Sequence, residues 1–398
     1  MTDFALDGRR NIYARLSGFY YIYFFGMGAL YPLLSVYFKD KGLTGSQLGL
    51  IMSVGPIVSI ITQPIWGMLC DRYRIEKKVL FITLISAGVI SLFFPISQSF
   101  LIFLMLIGLM NVFQSAVVPI TDNISMNFVQ RYGGQYGDIR LWGSIGFAVA
   151  VWVAGLLSDH FHSDIIFYLY TVSLFIAATL TKRMSEDENS QFSVNVFKEM
   201  KKLLTVPSFS LFLLGTFLLF GTMNANNTYF GIFYQSIGGT KTGIGLAFLL
   251  AAGSEVPFMR WSGKLITKFG LLPVMIFSAV VTVIRWFFYS LGPSVFWVIV
   301  TTFVQGLSIG LFLATAVQFV KTKAEADVQV TAMSLYGSFG LGLGSFVSSM
   351  IGGWIYEHFG ILNTYLYMAI ASFLAILIFL VIWVIEREGH PNSKMIRG

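Results

Sequence analysis

Charged side chains are rare inside the apolar stretches of this sequence, and two of them stand close together in the chain. Asp122 ends one apolar run, and Arg140, 18 residues later, begins the next. A charge in hydrocarbon costs about 2.5–3.5 kcal/mol on insertion scales, so such residues usually face a partner or a water-filled cavity. If the chain reverses between them, two antiparallel helices bring the carboxylate and the guanidinium within pairing distance.

The chemistry open to this pair is recognition of a polar solute. Arg140 offers a planar fork of donors and Asp122 accepts two hydrogen bonds, the geometry that clamps a sugar or ribose diol. Phe147 lies seven residues beyond Arg140, about two helical turns, so it shares the arginine's face and can stack on a ring. Trp142 points elsewhere and is assigned to packing. The alternative is an interfacial salt bridge at the cytoplasmic ends of the two helices.

A second pair of charges, Glu255 and Arg285, lies in later apolar runs. Glu255 stands within Ser-Glu-Val-Pro, and Pro257 can kink that helix toward a cavity. Burial favours the neutral form of a carboxylate, whereas a nearby guanidinium favours the charged form. We therefore predict that Glu255 loads and releases a proton and that Arg285 modulates it. The alternative is a permanent structural ion pair.

Amides inside apolar runs form a third group, in which Asn224 and Asn227 belong to one run and Gln305 to another. An amide costs less to bury than a charge and often only joins helices, so solute contact and packing both stay open. Asn227 is three residues from Asn224, which places both on one helix face. We predict that these three amides contact the solute.

The composition places these groups in a membrane protein. Of 398 residues, 56% are hydrophobic and 11% charged, whereas soluble domains have about 25% charged residues. The net charge of +7 does not indicate nucleic-acid binding, because the charges occupy short gaps between apolar runs. A single cysteine and four scattered histidines predict no metal site, and no motif predicts a cofactor.

A helix needs about 20 apolar residues to cross a hydrocarbon core of about 30 Å, and the sequence supplies twelve such runs. They lie near 13–37, 44–70, 79–97, 99–126, 138–159, 163–182, 207–236, 243–265, 272–291, 294–320, 328–356 and 362–385. Of 26 Lys and Arg residues, 17 lie in the even-numbered gaps and the two tails, and three lie in the odd-numbered gaps. By the positive-inside rule both termini are cytoplasmic, in a multi-pass protein of the cell inner (plasma) membrane.

An internal repeat divides the chain into two halves. The segment Gly67-Met-Leu-Cys-Asp71-Arg72 recurs 196 residues later as Gly263-Lys-Leu-Ile-Thr267-Lys268. The longest connection, 183–206, separates six spans from six and is predicted to be a cytoplasmic linker with an amphipathic stretch on the membrane surface. We therefore predict an N-terminal six-helix bundle over 1–182 and a C-terminal one over 207–398. Parallel halves with a site between them characterise one class of secondary transporter.

Twelve spans, a long central connection and a Gly-x-Leu-x-Asp-Arg motif after span two resemble the major facilitator superfamily. Within this superfamily the chain resembles lactose permease and its relatives, the oligosaccharide, nucleoside and phenylpropionate proton symporter group. The run Gly-Asp-Ile-Arg-Leu-Trp-Gly-Ser in span five resembles permeases of the phenylpropionate branch. The resemblance implies an all-α membrane fold of twelve transmembrane helices in two pseudo-symmetric six-helix bundles, and proton-coupled symport by alternating access.

The resemblance also implies roles for individual residues. Asp122 and Arg140 match the acid and base that grip sugar, Glu255 the coupling carboxylate and Arg285 the proton-linked arginine. Two departures stand out: Gln305 and Ser308 replace the histidine and glutamate of the proton-translocation group, and Phe147 replaces the tryptophan on which galactose stacks. The residues that match the cytoplasmic gate motif are Gly67, Asp71 and Arg72.

The charge of the predicted site favours a neutral solute. Two acids and two arginines balance to zero, which suits a sugar or nucleoside, and a carboxylate would meet surplus positive charge only when Glu255 is protonated. Aromatic carboxylate uptake and sugar efflux remain alternatives, as does a membrane sensor that binds a solute without moving it. No motif supports an enzyme. The expected partners are a small-molecule substrate, protons and the lipid bilayer, and the protein is expected to be a monomer.

Overall fold

The computed structural model describes residues 2–181, 203–324 and 329–388, and these are almost entirely helical. The first six spans are Thr2–Asp40, Gly45–Tyr73, Glu76–Ser91, the consecutive helices Phe100–Gln114 and Val117–Tyr132, Tyr136–His160 and Ile165–Thr181. Spans seven to nine are Pro207–Ser236, Lys241–Phe269 and Leu271–Ser290. Span ten joins Val295–Thr302, Gly306–Gly310 and Leu311–Lys323; span eleven joins Gln329–Leu335, Tyr336–Leu343 and Gly344–Phe359; span twelve is Ile361–Glu388.

The lengths of these helices match a membrane protein. Within the described ranges, ten helical segments are long and apolar enough to cross a membrane. Spans three and six, with 16 and 17 residues, fall short of the roughly 20 residues that cross the whole core. Span one begins at Thr2 instead of near residue 13, so its helix continues beyond the apolar run. The prediction of an all-α membrane fold is confirmed.

Contacts between Cα atoms group the chain into two compact units. Unit 1 comprises Met1–Phe192 together with Phe230–Leu249, and unit 2 comprises Ser193–Tyr229 together with Leu250–Gly398. This grouping places one part of span seven and one part of span eight in each unit. The sequence instead predicts a division at 183–206. Residues 182–202, which hold most of that predicted linker and its amphipathic stretch, lie outside the described residues.

Each unit has an aromatic core of its own. In unit 1 the rings of Phe94 and Phe167 stack with centroids 4.9 Å apart, and Tyr37 meets Phe167 edge-on at 4.7 Å. In unit 2 the ring of Tyr365 lies 5.3 Å from that of Tyr289 and 5.8 Å from that of Trp286. Such pairs add to the free energy of packing beyond their buried area. These ring pairs hold together the helices of each unit that carry its polar groups.

Spans ten and eleven each contain a π-helical segment, Gly306–Gly310 and Tyr336–Leu343. Glycines allow close helix contact there: a Cβ on Gly306 would collide with the Ser254 carbonyl, and one on Gly344 would lie 2.6 Å from the Phe217 carbonyl oxygen. Because π-helical turns often accompany functional sites, the one that begins at Gly306 marks a region of interest.

Candidate functional site

A chain of hydrogen bonds joins Glu255 to Arg285 inside unit 2. Glu255 is the fifteenth of the 29 residues of span eight, so it lies at the middle of that helix. The Gln305 amide nitrogen donates to Glu255 Oε1 at 3.0 Å, and Arg285 Nη1 donates to Gln305 Oε1 at 3.0 Å. The sequence predicts that Glu255 and Arg285 act together, and in the structure one residue, Gln305, connects them.

The chemistry of the end groups fixes the direction of this chain. A guanidinium has only donors, so Arg285 must meet the amide oxygen of Gln305. The amide nitrogen then faces Glu255, which accepts from it. These two partners determine which amide atom of Gln305 is oxygen and which is nitrogen. The amide oxygen binds Arg285 and the amide nitrogen binds Glu255.

Arg285 is the most deeply buried charged group of this network, with 3% of its surface exposed. Its Nε donates to the Tyr289 hydroxyl at 3.2 Å, and the guanidinium lies 5.2 Å from the Trp286 ring centroid and 5.4 Å from that of Tyr289. No carboxylate lies within 4.0 Å of it in the described part of the chain. Its charge is therefore balanced through Gln305 by Glu255, with support from two aromatic rings.

The local fold explains why Gln305 reaches both partners. Gln305 immediately precedes the π-helical segment of span ten, and the next residue, Gly306, donates its N–H to Ser254 Oγ at 3.0 Å. Ser254 neighbours Glu255, so this backbone bond holds span ten against the residue beside the carboxylate. The missing side chain at Gly306 permits the approach.

In unit 1 the structure brings Asp122 and Arg140 to the same tyrosine. The Tyr20 hydroxyl of span one donates to Asp122 Oδ1. The Arg140 guanidinium lies 5.4 Å from the Tyr20 ring centroid and 4.2 Å from that of Phe24. Span one thus supplies an aromatic surface for the arginine and a hydroxyl for the aspartate.

The structure contains no ion pair within 4.0 Å between Asp122 and Arg140 in the described ranges, so the alternative of an interfacial salt bridge is wrong. The physical reason is Tyr20, which satisfies the carboxylate with its hydroxyl while its ring contacts the cation. Both residues are only partly exposed. They keep unused hydrogen-bonding capacity, because Arg140 has five N–H donors and an ionised Asp122 has about four acceptor sites.

The aromatic rings that lie over the Arg140 guanidinium in the described residues do not include Phe147 or Trp142. The backbone of Phe147 lies against Gly28 of span one, where a Cβ would be 3.0 Å from the Phe147 Cα. The ring that lies 4.2 Å from Arg140 belongs instead to Phe24. Trp142 is 45% exposed and meets Tyr21 edge-on at 6.4 Å, in line with a packing role.

The asparagines of span seven join span eleven and each other. Asn224 Nδ2 donates to Ser345 Oγ at 2.6 Å, and Asn227 Nδ2 donates to Asn224 Oδ1 at 3.3 Å. The prediction that Asn224 and Asn227 share a helix face is confirmed. Asn227 is exposed, whereas Asn226 is buried and accepts a hydrogen bond from the Tyr365 hydroxyl at 2.9 Å. Asn226 therefore joins helices, while Asn227 has a face open to a solute.

The motif after span two lies at the end of that helix. Arg74 caps it in the left-handed conformation, with φ of 52°, and donates its N–H to the Cys70 carbonyl. Gly67 has no side-chain neighbour within 4 Å of a Cβ built on it, and Arg72 is exposed and lies over the Tyr73 ring at 5.5 Å. The side chain of Asp71, the predicted acid of the gate, lies outside the described residues.

Sequence reasoning missed three participants: Tyr20, Phe24 and Tyr289. The first two belong to the run Phe-Tyr-Tyr-Ile-Tyr-Phe-Phe of span one, an unusual density of aromatic residues that signals more than lipid contact. Tyr289 follows Arg285 by four residues, a spacing that places both on one helix face. That spacing was the available signal for a hydroxyl beside the arginine.

Comparison with known proteins identifies the family. A family model described as the MFS_1 like family matches residues 13–367. The chain belongs to this family. The maltose permease of Geobacillus stearothermophilus is 40% identical to it over 376 residues, which cover 94% of this chain and 95% of the permease. A probable 3-phenylpropionic acid transporter of Escherichia coli is 24% identical, over 86% of this chain and 90% of that protein.

A solved structure supports the fold. The crystal structure of the nucleoside transporter NupG matches with a TM-score of 0.84 and covers 94% of this chain and 99% of its own. The two sequences are 18% identical, so the match shows the fold alone. Together with the family match, it shows a multi-pass membrane protein of the major facilitator superfamily.

Proposed function

We propose that this protein is a secondary active transporter that moves a small neutral polyhydroxyl solute, a sugar or nucleoside, together with a proton by alternating access. Glu255 is the proton carrier and Arg285 its modulating cation. The maltose permease relative, 40% identical over nearly the whole chain, supports a sugar as the first candidate solute. The positive-inside distribution supports cytoplasmic termini in the cell inner membrane.

The observation that carries this proposal is the carboxylate–amide–guanidinium chain of Glu255, Gln305 and Arg285. An ionisable carboxylate at the middle of a membrane span is a functional-site hypothesis by default. Here it has one defined route to a buried cation, so gain or loss of its proton changes the net charge of the network. A change in charge is what can couple proton binding to a conformational equilibrium.

The remaining predicted residues are proposed to meet the solute. Arg140 and Asp122 have free hydrogen-bonding capacity beside the Tyr20 ring, and Asn227 is exposed next to Asn224. Phe147 is retained as a predicted stacking surface. Gln305 has both amide ends occupied, which supports a role in the charge network ahead of direct solute contact. Gly67, Asp71 and Arg72 are proposed as the cytoplasmic gate.

A second candidate function is uptake of an aromatic carboxylate. Arg285 has no carboxylate within 4.0 Å in the described residues, so protonation of Glu255 would leave the network positively charged. A negatively charged solute would then be favoured. The 3-phenylpropionic acid transporter among the relatives makes 3-phenylpropionate the probe for this case.

The test of proton coupling is Glu255→Gln in proteoliposomes. A neutral amide cannot release a proton, so we expect accumulation of maltose against its gradient to fail while exchange of maltose across the membrane continues. Asp164→Asn, at a partly exposed acid on the surface of unit 1, is the matched control and should accumulate normally. Normal accumulation by Glu255→Gln would show that the carrier is misassigned.

A thermal-shift screen of the purified protein decides the solute class, because a ligand that binds only the folded state raises its apparent stability. Maltose, a nucleoside and 3-phenylpropionate are the three probes. Stabilisation by maltose or the nucleoside supports the neutral solute. Stabilisation by 3-phenylpropionate alone, strongest at low pH, replaces it with the carboxylate.

A further inference from the structure

A cluster of polar side chains outside both sites holds one segment of the chain in unit 1. We call residues 230–249 the seven–eight corner, because it contains the end of span seven, the connecting turn and the beginning of span eight. These residues group with unit 1, while the rest of both helices groups with unit 2. The contacts that hold the corner therefore restrain two helices that run on into the other unit.

Asp159, at the end of span five, binds the beginning of span eight. Its carboxylate accepts from the backbone N–H of Lys241 at 3.2 Å, from that of Thr242 at 2.8 Å and from the Thr242 hydroxyl at 2.6 Å. Free N–H groups and the helix dipole make the beginning of a helix favourable for a carboxylate. One side chain of span five thus makes three hydrogen bonds to the corner.

The side chain of Lys241 makes a second connection, from the corner to Asp40 and Ser163 of unit 1. Its Nζ lies 3.1 Å from Asp40 Oδ2, at the end of span one, and 2.6 Å from Ser163 Oγ. Ser163 in turn donates to Asp40 at 3.2 Å, which closes a ring of three groups. The Lys241 side chain is 15% exposed and the Asp40 side chain 44% exposed, so the cation is shielded from water while the carboxylate stays partly open to it.

Beneath these polar contacts the backbones meet directly. A Cβ on Gly155 would lie 2.6 Å from the Lys241 carbonyl oxygen, and one on Gly245 would lie 2.5 Å from the Val151 carbonyl oxygen. On the span one side, a Cβ on Gly231 would lie 2.7 Å from Val36 Cγ2. These close approaches place the corner directly against spans one and five.

The helix does not need Asp159 in order to begin. Thr240 Oγ1 accepts from the N–H of Gly243 at 3.0 Å, which is the bond of an ordinary local helix cap. The bonds from Asp159 are additional to this cap. They connect span eight to span five, so their loss affects the attachment of the corner more than its helical structure.

We propose that Asp159 and Lys241 form a latch that holds the seven–eight corner against spans one and five, and that releases when the solute path opens at this end of the molecule. The proposal rests on the transport function proposed above. By the positive-inside rule this end faces outward, because Lys41 and Lys241 belong to the gaps that are poor in basic residues.

The test measures exposure of the surface beneath the corner. Val36 is 1% exposed and lies under Gly231. In a Cys70→Ser background, Val36→Cys is labelled in intact cells with a membrane-impermeant maleimide. Asp159→Ala should raise the labelling rate about tenfold, because the three hydrogen bonds that hold the corner to span five are lost. Lys241→Met should also raise it, and Asp159→Asn should raise it less, because the amide oxygen still accepts from Thr242.

The matched control is Asp164→Asn, which breaks the 3.8 Å pair with Lys41 at the same end of unit 1 and leaves the corner untouched. Its labelling rate should equal that of the parent. Unchanged labelling in Asp159→Ala and Lys241→Met, or an equal rise in Asp164→Asn, would overturn the latch. A monodisperse elution profile and a parental melting temperature show that each variant is folded.

This experiment needs no solute and no proton gradient. The latch can therefore fail while maltose–proton symport succeeds, and Glu255→Gln can contradict the assigned carrier without any effect on Val36→Cys labelling. Substitution of Asp159 touches none of the residues of the two candidate sites.

Discussion

Replacement of Gln305 by methionine tests the charge network directly. Methionine has a similar volume but neither donates to Glu255 nor accepts from Arg285, so both hydrogen bonds of 3.0 Å are lost. Hydrogen bonds to charged groups are each worth about 1.5–3 kcal/mol, which gives about 3–6 kcal/mol for the two. Arg285 keeps its bond to Tyr289 and its ring contacts.

These remaining contacts and a small approach of Glu255 toward Arg285 reduce the loss. We expect the free energy of unfolding to fall by about 2–4 kcal/mol. The assay is reversible unfolding of the purified protein in mixed micelles, with the midpoint followed by tryptophan fluorescence. Gln318→Met in the same span is the matched control, because Gln318 is exposed, and its effect should stay within about 0.5 kcal/mol.

A double-mutant cycle separates the network from simple packing. If Gln305 transmits the charge of Glu255, the combined variant Glu255→Gln and Gln305→Met should lose about 1.5–3 kcal/mol less than the sum of the single losses. Additive losses would show that the two residues do not interact. A Gln305→Met loss no larger than that of Gln318→Met would refute the network altogether.

Two further predictions concern the packing and polar contacts around the sites. Gly306→Ala should destabilise the protein by about 1–3 kcal/mol, because the new Cβ would meet the Ser254 carbonyl. Gly253→Ala, whose Cβ would have no neighbour within 4 Å, should stabilise it by about 0.5–1 kcal/mol. The same micelle unfolding assay measures both variants, and equal effects would contradict the close contact at Gly306. Tyr20→Phe should cost about 1.5–3 kcal/mol through its lost bond to Asp122, while Tyr170→Phe, whose buried hydroxyl has no hydrogen-bond partner in the described residues, should be neutral or stabilising. A harmless Tyr20→Phe would remove Tyr20 from the unit 1 site.

Most of the fold was accessible from hydropathy, because a membrane helix must be both long and apolar. Within the described residues, each of the twelve predicted runs corresponds to a helical span. Apolar pattern does not report hydrogen-bond register, so it did not predict the π-helical segments at Gly306–Gly310 and Tyr336–Leu343. The π-helical segments depend on which neighbouring helix packs against their glycines. That packing is a tertiary contact, which a hydropathy pattern does not contain.

The candidate sites were predicted in part. Charge in an apolar run located Asp122, Arg140, Glu255 and Arg285, and helical spacing placed Asn224 beside Asn227. Opposite charges suggested direct pairing of Asp122 with Arg140, yet the tyrosine of span one satisfies the carboxylate instead. Tyr20 is 102 residues from Asp122 in the chain, and no local pattern connects two residues so far apart.

The amide at Gln305 also limits what the network can do. Neither an amide side chain nor an arginine loses a proton within the physiological range, so of the three groups in the chain only Glu255 can change its charge. If Glu255 is the carrier, this network moves one proton in each cycle. It also has two charge states, neutral with Glu255 ionised and positive with Glu255 protonated. A neutral solute binds either state without a large electrostatic difference, whereas a carboxylate distinguishes them. The pH dependence of solute affinity therefore reports the solute class: weak dependence supports a sugar or nucleoside, and affinity that rises on acidification supports a carboxylate.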